Sequence, residues 1–213
     1  MTERTETVSR AVLALAALAG ASAVAAADIR ITEYMYSGND GEFVEFTNLG
    51  GAAVDLSGWS FDDSSREPGV FALSGMLGAG QSMVITESEA EFFRSAWGLS
   101  AEVLILGGVE NNLGRNDEIN LYNAMGGLVD RLTYGDGDFP GTFRTQEVSA
   151  NPGSFGDLGA NDIFAWQASE EGDSYGSYFS AGGDLGNPGA YVPAPGAIAL
   201  LGLGGLMGAR RRR

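Results

Sequence analysis

Short runs in which apolar and polar residues alternate recur between residues 28 and 134, and turn residues separate most of them. Residues 29–32, 44–47 and 54–57 each show this pattern. Alternation with a period of two is typical of a strand that buries one face. Because such strands follow one another at short spacing, with glycine-rich turns between them, they predict an all-β sandwich or barrel.

Further strands are predicted at residues 70–73, 82–86, 103–106, 119–121 and 128–134, and late strands near residues 143–148 and 163–168. The large residues change parity after Ser57-Gly58, since Leu56 is followed by Trp59 and Phe61. A change of parity at a glycine predicts a β-bulge there. Residues 135–191 are rich in Gly, Ser, Asp and Asn but contain many aromatic rings, which predicts a loop-rich continuation of the same domain.

One helix is predicted, at residues 88–97. Ser88 and Glu91 have the spacing of a capping box, in which each side chain satisfies a free amide at the start of a helix. Phe93 and Trp97 are four residues apart and would form an apolar face. Gly98 is suited to end the helix. We therefore predict a short helix that closes one end of the sandwich.

The N-terminus is typical of a secretory signal peptide. Apolar residues 11–21 are followed by small residues, and the expected cleavage lies near Ala25 to Ala27. The alternative is a buried N-terminal helix. Without this segment and the C-terminal tail, residues 28–191 form the predicted domain, with 26 acidic residues, six arginines and a net charge of −20.

The charge and the missing residue types exclude several classes of function. A strongly acidic surface repels nucleic acid, whose binding needs clustered cations, so no nucleic-acid partner is predicted. The chain has no His, Cys or Lys. It can therefore form no disulfide, no thiol nucleophile, no triad that depends on histidine and no metal site with histidine ligands.

Several motifs, in order, resemble the lamin tail domain family. They include Glu33 in the opening strand, a Phe-x-Glu-x-x-Asn unit (Phe43, Glu45, Asn48), a Leu-Ser-Gly-Trp unit (Leu56, Ser57, Gly58, Trp59) and the pair Leu77 and Gly80. An Asn-Leu-Gly turn at 112–114, a hairpin at 130–135 and a Gly-Asn-Pro-Gly unit at 186–189 follow. The resemblance covers residues 28–191 and implies an immunoglobulin-like β-sandwich. It also implies structural roles for Glu33, Glu45, Asn48, Gly58 and Trp59.

The C-terminus resembles a PEP-CTERM sorting signal, which an exosortase membrane protease recognises in bacteria. The processing motif would be Val192, Pro193, Ala194 and Pro195, with Ala194 where the family usually has Glu. Residues 196–209 are 14 apolar or small residues, fewer than the roughly 20 of a full transmembrane helix, so this helix would have to tilt or thin the bilayer. The positive cluster that would stay in the cytoplasm is Arg210, Arg211, Arg212 and Arg213. The alternative is an anchor that is never cut.

Carboxylates are the remaining candidates for chemistry. Glu33 and Glu45 are predicted to lie on neighbouring strands, where they could act as acids, although polar residues that face water or tie down strand ends are the preferred interpretation. Calcium, the only candidate cofactor, favours oxygen ligands in loops. Its candidate ligands are Asp62, Asp63, Asp136 and Asp138.

Two functions follow from the sequence. The first is an exported, non-enzymatic binding or structural module of the cell envelope or extracellular space. Its partners would be signal peptidase and an exosortase-type protease during export, and then an envelope or matrix protein or glycan. The alternative is an accessory or divergent secreted calcium-dependent hydrolase, because lamin tail domains accompany secreted nucleases and phosphatases.

Overall fold

The computed structural model describes residues 28–110 and 112–192 of the chain. The predicted signal peptide and residues 193–213 lie outside the described residues. The first half of the described chain forms β1 (Ile29–Met35), β2 (Phe43–Asn48), β3 (Val54–Asp55), β4 (Ser60–Asp62), β5 (Phe71–Ala72), β6 (Met76–Leu77), β7 (Ser82–Thr86) and helix α1 (Ala90–Trp97). The second half forms β8 (Leu104–Leu106), β9 (Asp117–Tyr122), β10 (Leu128–Tyr134), β11 (Ala150–Pro152), β12 (Trp166–Ala168), β13 (Tyr178–Phe179) and β14 (Leu185–Gly186).

Two larger sheets make up the sandwich. The first has six strands in the order β12-β11-β1-β2-β7-β8, and the second has four in the order β10-β9-β4-β5. Within the first sheet, β7 and β8 run parallel, whereas the other neighbours are antiparallel. Strands β13 and β14 pair with each other, as do β3 and β6. The predicted class is confirmed: the fold is mostly β, with one short α-helix among the described residues.

The main core lies between the two sheets. Ile31, Val44 and Phe46 of the first sheet belong to one buried cluster with Ile119 and Leu121 of the second. These positions alternate along β1, β2 and β9, as the period-two pattern predicts. On β2, however, all six residues are buried, including Glu45 and Thr47. The first sheet is therefore covered on its outer face as well.

Helix α1 covers one end of that outer face. Phe93 and Trp97 pack against Phe43 in a second apolar cluster, with ring centroids 5.4 and 5.9 Å from the Phe43 ring. Gly98 ends the helix in the left-handed conformation. The predicted apolar face and the predicted C-terminal end of the helix are confirmed, but Phe92 on the neighbouring face is exposed.

The predicted capping box is wrong. The helix begins at Ala90, and its N-cap, Glu89, makes no side-chain capping hydrogen bond. Ser88 instead donates from Oγ to the backbone carbonyl of Asp40 at 2.9 Å. The Ser88 hydroxyl also lies so close to Gly41 that a Cβ there would be 2.3 Å from it. This tertiary contact takes the hydroxyl away from the helix start.

The predicted bulge at Gly58 is also wrong, and a turn takes its place. The Trp59 N–H donates to the Leu56 carbonyl at 2.9 Å, and Gly58 has a φ of 81°. A positive φ at the third residue of such a turn favours glycine. The turn carries the chain from β3 in the small β3–β6 sheet to β4 in the four-stranded sheet. This change of sheet accounts for the change of parity.

Residues 135–191 contribute β11 and β12 to the first sheet, and of these β12 lies within a predicted strand. No strand forms at residues 143–148, where only isolated bridges occur at Gln146 and Val148. Strand β11 begins at Ala150, and the predicted strand at 163–168 is a 3₁₀ turn followed by β12. Within residues 28–110 and 112–192, no helix combines the length and the apolar character needed to cross a bilayer.

Candidate functional site

Glu33 and Glu45 are direct partners on β1 and β2, near the middle of the six-stranded sheet. The register shifts between Ile31 and Glu33, so that Thr32 is an extra residue on β1. This irregularity places the side chains of Thr32 and Glu33 together on the outer face of the sheet, beside Glu45. Both glutamates are completely buried.

Hydroxyl groups and a backbone amide surround Glu45. Its Oε1 accepts a hydrogen bond from Thr32 Oγ1 at 2.6 Å, and its Oε2 accepts one from the Gly189 N–H at 2.7 Å. Thr47 Oγ1 lies 2.7 Å from Ser82 Oγ and continues the network towards β7. Both oxygens of Glu45 are therefore satisfied without a cation.

Glu33 is satisfied on one oxygen only. Its Oε1 accepts from Ser149 Oγ at 2.5 Å and from the Asn187 N–H at 2.7 Å. Its Oε2 has no hydrogen-bond partner among the described residues, and neither has Nδ2 of Asn187. A buried carboxylate oxygen without a donor is costly when the group is charged. The arrangement therefore favours the neutral acid at Glu33.

The loop of residues 186–191, which we call the closing loop, lies across the pair. Consecutive contacts run from its backbone to the outer face of the sheet: Asn187 N–H to Glu33, Gly189 N–H to Glu45, and Tyr191 N–H to Ser82 Oγ at 3.2 Å. Gly186 is required because a Cβ there would come 2.8 Å from both Glu33 Oε1 and Ser149 Oγ. Gly189 has a φ of 97°, a conformation that favours glycine.

Burial sets the protonation of the pair. Desolvation raises the pKa of Glu33 well above its ordinary value, and the neighbouring charge of Glu45 raises it further. Desolvation raises the pKa of Glu45 to about 7, while hydrogen bonds from Thr32 and the Gly189 amide oppose the rise. Two carboxylates this close cannot both ionise cheaply in a dry interior. Near neutral pH the pair therefore holds at least one proton.

The Lamin Tail Domain family model matches residues 22–136, more than half of the chain. The chain belongs to the lamin tail domain family. Membership of this family confirms the immunoglobulin-like sandwich expected from the motifs. Comparison with curated proteins finds no match. Both glutamates of the pair lie within the matched region of this lamin tail domain, whereas the closing loop lies beyond it.

The other family-motif residues have structural contacts. Asn48 donates from Nδ2 to the carbonyl groups of Ala52, Leu77 and Gly78, and its Oδ1 accepts from the Gly50 N–H. It thus organises the chain around the end of β2. Trp59 belongs to the main core, directly after the Gly58 turn.

Solvent cannot reach the two glutamates. Of the two preferred interpretations, that these polar residues face water or tie down strand ends, the first is therefore wrong. The polar pattern of β2 is misleading because a second layer, made of the closing loop and α1, covers the face on which Glu45 lies. A carboxylate that is 0% exposed cannot exchange protons with a bound substrate in this conformation. The pair can instead hold backbone amides in place.

Three of the four aspartates suggested as calcium ligands are engaged by other groups. Asp136 pairs with Arg115 at 2.6 Å and with Arg144 at 3.9 Å, and Asp138 is exposed. Asp62 accepts from Ser65 Oγ and the Arg66 N–H, and Asp63 Oδ1 accepts from the Ser64 N–H. In the described part of the chain, no group of three or more acidic residues is arranged to hold a metal ion. Calcium at these residues stays a prediction.

The burial of another acid, Glu42, was not predicted from the sequence. Both of its carboxylate oxygens accept from the Leu113 N–H, at 2.8 and 3.0 Å. Desolvation raises its pKa to about 8, and the charge of Glu87 adds to the rise. Glu42 and Glu87 line a cavity of about 10 Å³, enough for one water molecule. Its position just before β2 gives no sequence signal of burial.

Proposed function

We propose that this lamin tail domain protein is an exported, non-enzymatic binding or structural module of the cell envelope or extracellular space. Membership of the family supports a structural or binding domain. The observation that carries the proposal is that Glu33 and Glu45 have a structural role. These two residues are the sequence's best candidates for acid–base chemistry, yet both are buried and hold the closing loop.

The surface charge supports a partner that is not anionic. Each of the six described arginines lies 3.9 Å or less from a carboxylate, which leaves most of the acidic residues without a cationic partner. Such a surface attracts cationic groups and repels nucleic acid and anionic lipid. We therefore propose an envelope or matrix protein or glycan as the ligand, rather than nucleic acid.

Export and sorting are part of the proposal. The pattern at Ala25 and Ala27 supports cleavage by signal peptidase, and the tail supports sorting by an exosortase-type protease near Val192 and Pro195. Before cleavage, the arginines at 210–213 would hold the tail on the cytoplasmic side of the inner membrane. Val192, the last described residue, is exposed directly after the closing loop.

Mass spectrometry of the protein from fractionated cells tests the proposal. We expect a new N-terminus near residue 28, a C-terminus near residues 192–195, and enrichment in the envelope or medium. Intact protein in the cytosol would contradict export. The purified protein should also show no turnover of nucleic acid, phosphoester or polysaccharide substrates with or without calcium, whereas turnover would favour the hydrolase alternative.

A further inference from the structure

We propose that Glu33 and Glu45 form a proton-dependent clasp, which holds the closing loop on the sheet while the pair keeps a proton and releases the loop when both carboxylates ionise. The clasp lies within the fold, so it does not depend on where the protein is sorted.

The geometry couples the loop directly to the pair. Two backbone amides, separated only by Pro188, each donate to a different glutamate, at 2.7 Å in both cases. The loop is part of the layer that covers the glutamates, which are 0% exposed. Hydrating the two carboxylates therefore requires movement of the loop that covers them.

No described group supplies a positive charge to offset a second negative one. Asp173 and Tyr178 of the C-terminal segment are the other ionisable groups near Glu33, and Tyr191 is the one near Glu45. Strand β7 and residues 149–151 contribute only neutral groups to the network, namely the hydroxyls of Ser82 and Ser149 and the amide of Asn151 on β11. On β1, Arg30 is engaged by Asp28 at 2.8 Å. The proton is thus the only neutralising agent within the described surroundings.

The opening is expected to be local, because the segment just before the loop has independent anchors. Leu185 exchanges backbone hydrogen bonds with Glu147 and Ser149, and Asp184 accepts from the backbone amides of Asn39 and Asp40. Beyond Asp184 and Leu185, Gly186 is paired with Tyr178 in the β13–β14 sheet. The rest of the loop is held by the backbone donors of Asn187, Gly189 and Tyr191, together with the hydrogen bond from Ser177 Oγ to Asn187 Oδ1 at 3.4 Å. Local opening of so few contacts costs less than unfolding the sandwich.

The clasp would also regulate processing, and this part rests on the proposed function. Tyr191, the last residue anchored to the sheet, directly precedes the predicted motif at 192–195. A protease needs an extended, accessible segment on both sides of the bond that it cuts. Release of residues 186–191 would therefore lengthen the accessible segment and speed cleavage as the pH rises.

Hydrogen–deuterium exchange of the full chain between pH 6 and pH 9, corrected for intrinsic exchange, tests the clasp. If opening releases one proton, we expect the protection of the amides in residues 187–191 to fall about tenfold for each unit by which the pH rises. The amides of β2 should keep their protection. The double variant Glu33→Gln, Glu45→Gln should keep the loop equally protected across this range. Glu91→Gln, at a side chain that is 84% exposed, should behave as wild type.

Two results would overturn the clasp. One is loop protection in the wild type that does not change with pH, and the other is simultaneous loss of protection in the loop and in β2, which would mean global unfolding. Both results are read from the exchange of the wild type, so the test still holds if the double variant does not fold. A protein that shows the switch but is found uncut in the cytosol would refute the sorting proposal and leave the clasp intact.

Discussion

Glu33 and Glu45 are paired across two adjacent antiparallel strands at the centre of the lamin tail domain, and neither carboxylate is exposed to solvent. Buried like-charged pairs are unusual because each charge loses its hydration and repels the other. Here hydroxyl groups and two backbone amides satisfy most of the oxygens, and a retained proton removes the repulsion. A polar cluster therefore fastens the C-terminal part of the domain to the sheet.

The stability of the protein should fall as the pH rises. Since the pKa of Glu45 is about 7 in the folded protein and about 4.5 in the unfolded chain, the folded state binds more protons between these values. The contribution of Glu45 to stability is fully present below about pH 4.5 and is lost as the pH rises through 7. Urea unfolding should show that Glu45→Gln reduces this loss by about 3 kcal/mol.

Glu42 gives an independent contribution in the same direction. Because the pKa of Glu42 is about 8, its contribution to the free energy of unfolding continues to fall up to a higher pH than the contribution of Glu45 does. Urea unfolding at a series of pH values should therefore show that Glu42→Gln flattens the curve mainly between pH 5 and pH 8. An unchanged curve in this variant would show that Glu42 ionises normally in the folded protein.

Gly58→Ala should destabilise the domain by about 1–2 kcal/mol. The substitution places a Cβ at a φ of 81° and 3.2 Å from the Cβ of Ala124. Gly51→Ala is the matched control, since no atom lies within 4 Å of its added Cβ, and it should be neutral or slightly stabilising. Equal midpoints of thermal unfolding for the two variants would argue against the turn.

Trp97→Ala should cost about 3–5 kcal/mol, because the ring is buried between Phe43 and Phe93 on the outer face. Phe92→Ala, on the same helix but 54% exposed, should change the free energy of unfolding by less than about 0.5 kcal/mol. Chemical denaturation of both variants checks whether α1 is part of the cooperative fold. A small effect at Trp97 would contradict that packing.

The strands with clear alternation could be predicted from the sequence, because side chains of one parity fill the space between the sheets. Strands β7 and β10 have their predicted bounds. The capping box could not be judged in the same way, since the partner of Ser88 is Asp40, 48 residues earlier in the chain. Local spacing carries no information about such a contact.

The candidate site was only half predictable. The motifs indicate that Glu33 and Glu45 are on neighbouring strands, but alternation assigns them to a solvent-exposed face. Their burial depends on Asn187 and Gly189, more than 140 residues away in sequence. One signal was present in the Gly-Asn-Pro-Gly unit, whose glycines fit a close backbone approach. The sequence could not show which strands that loop would meet.

The most direct test of the account is a carboxyl carbon NMR titration of Glu33 and Glu45 in the full chain, with Glu33→Gln and Glu45→Gln used for assignment. We predict that both carboxylates titrate well above their ordinary value, with Glu45 near pH 7, and that backbone resonances of residues 187–191 shift over the same range. Two independent titrations near pH 4.5, with no response from these loop residues, would contradict the proton-dependent clasp.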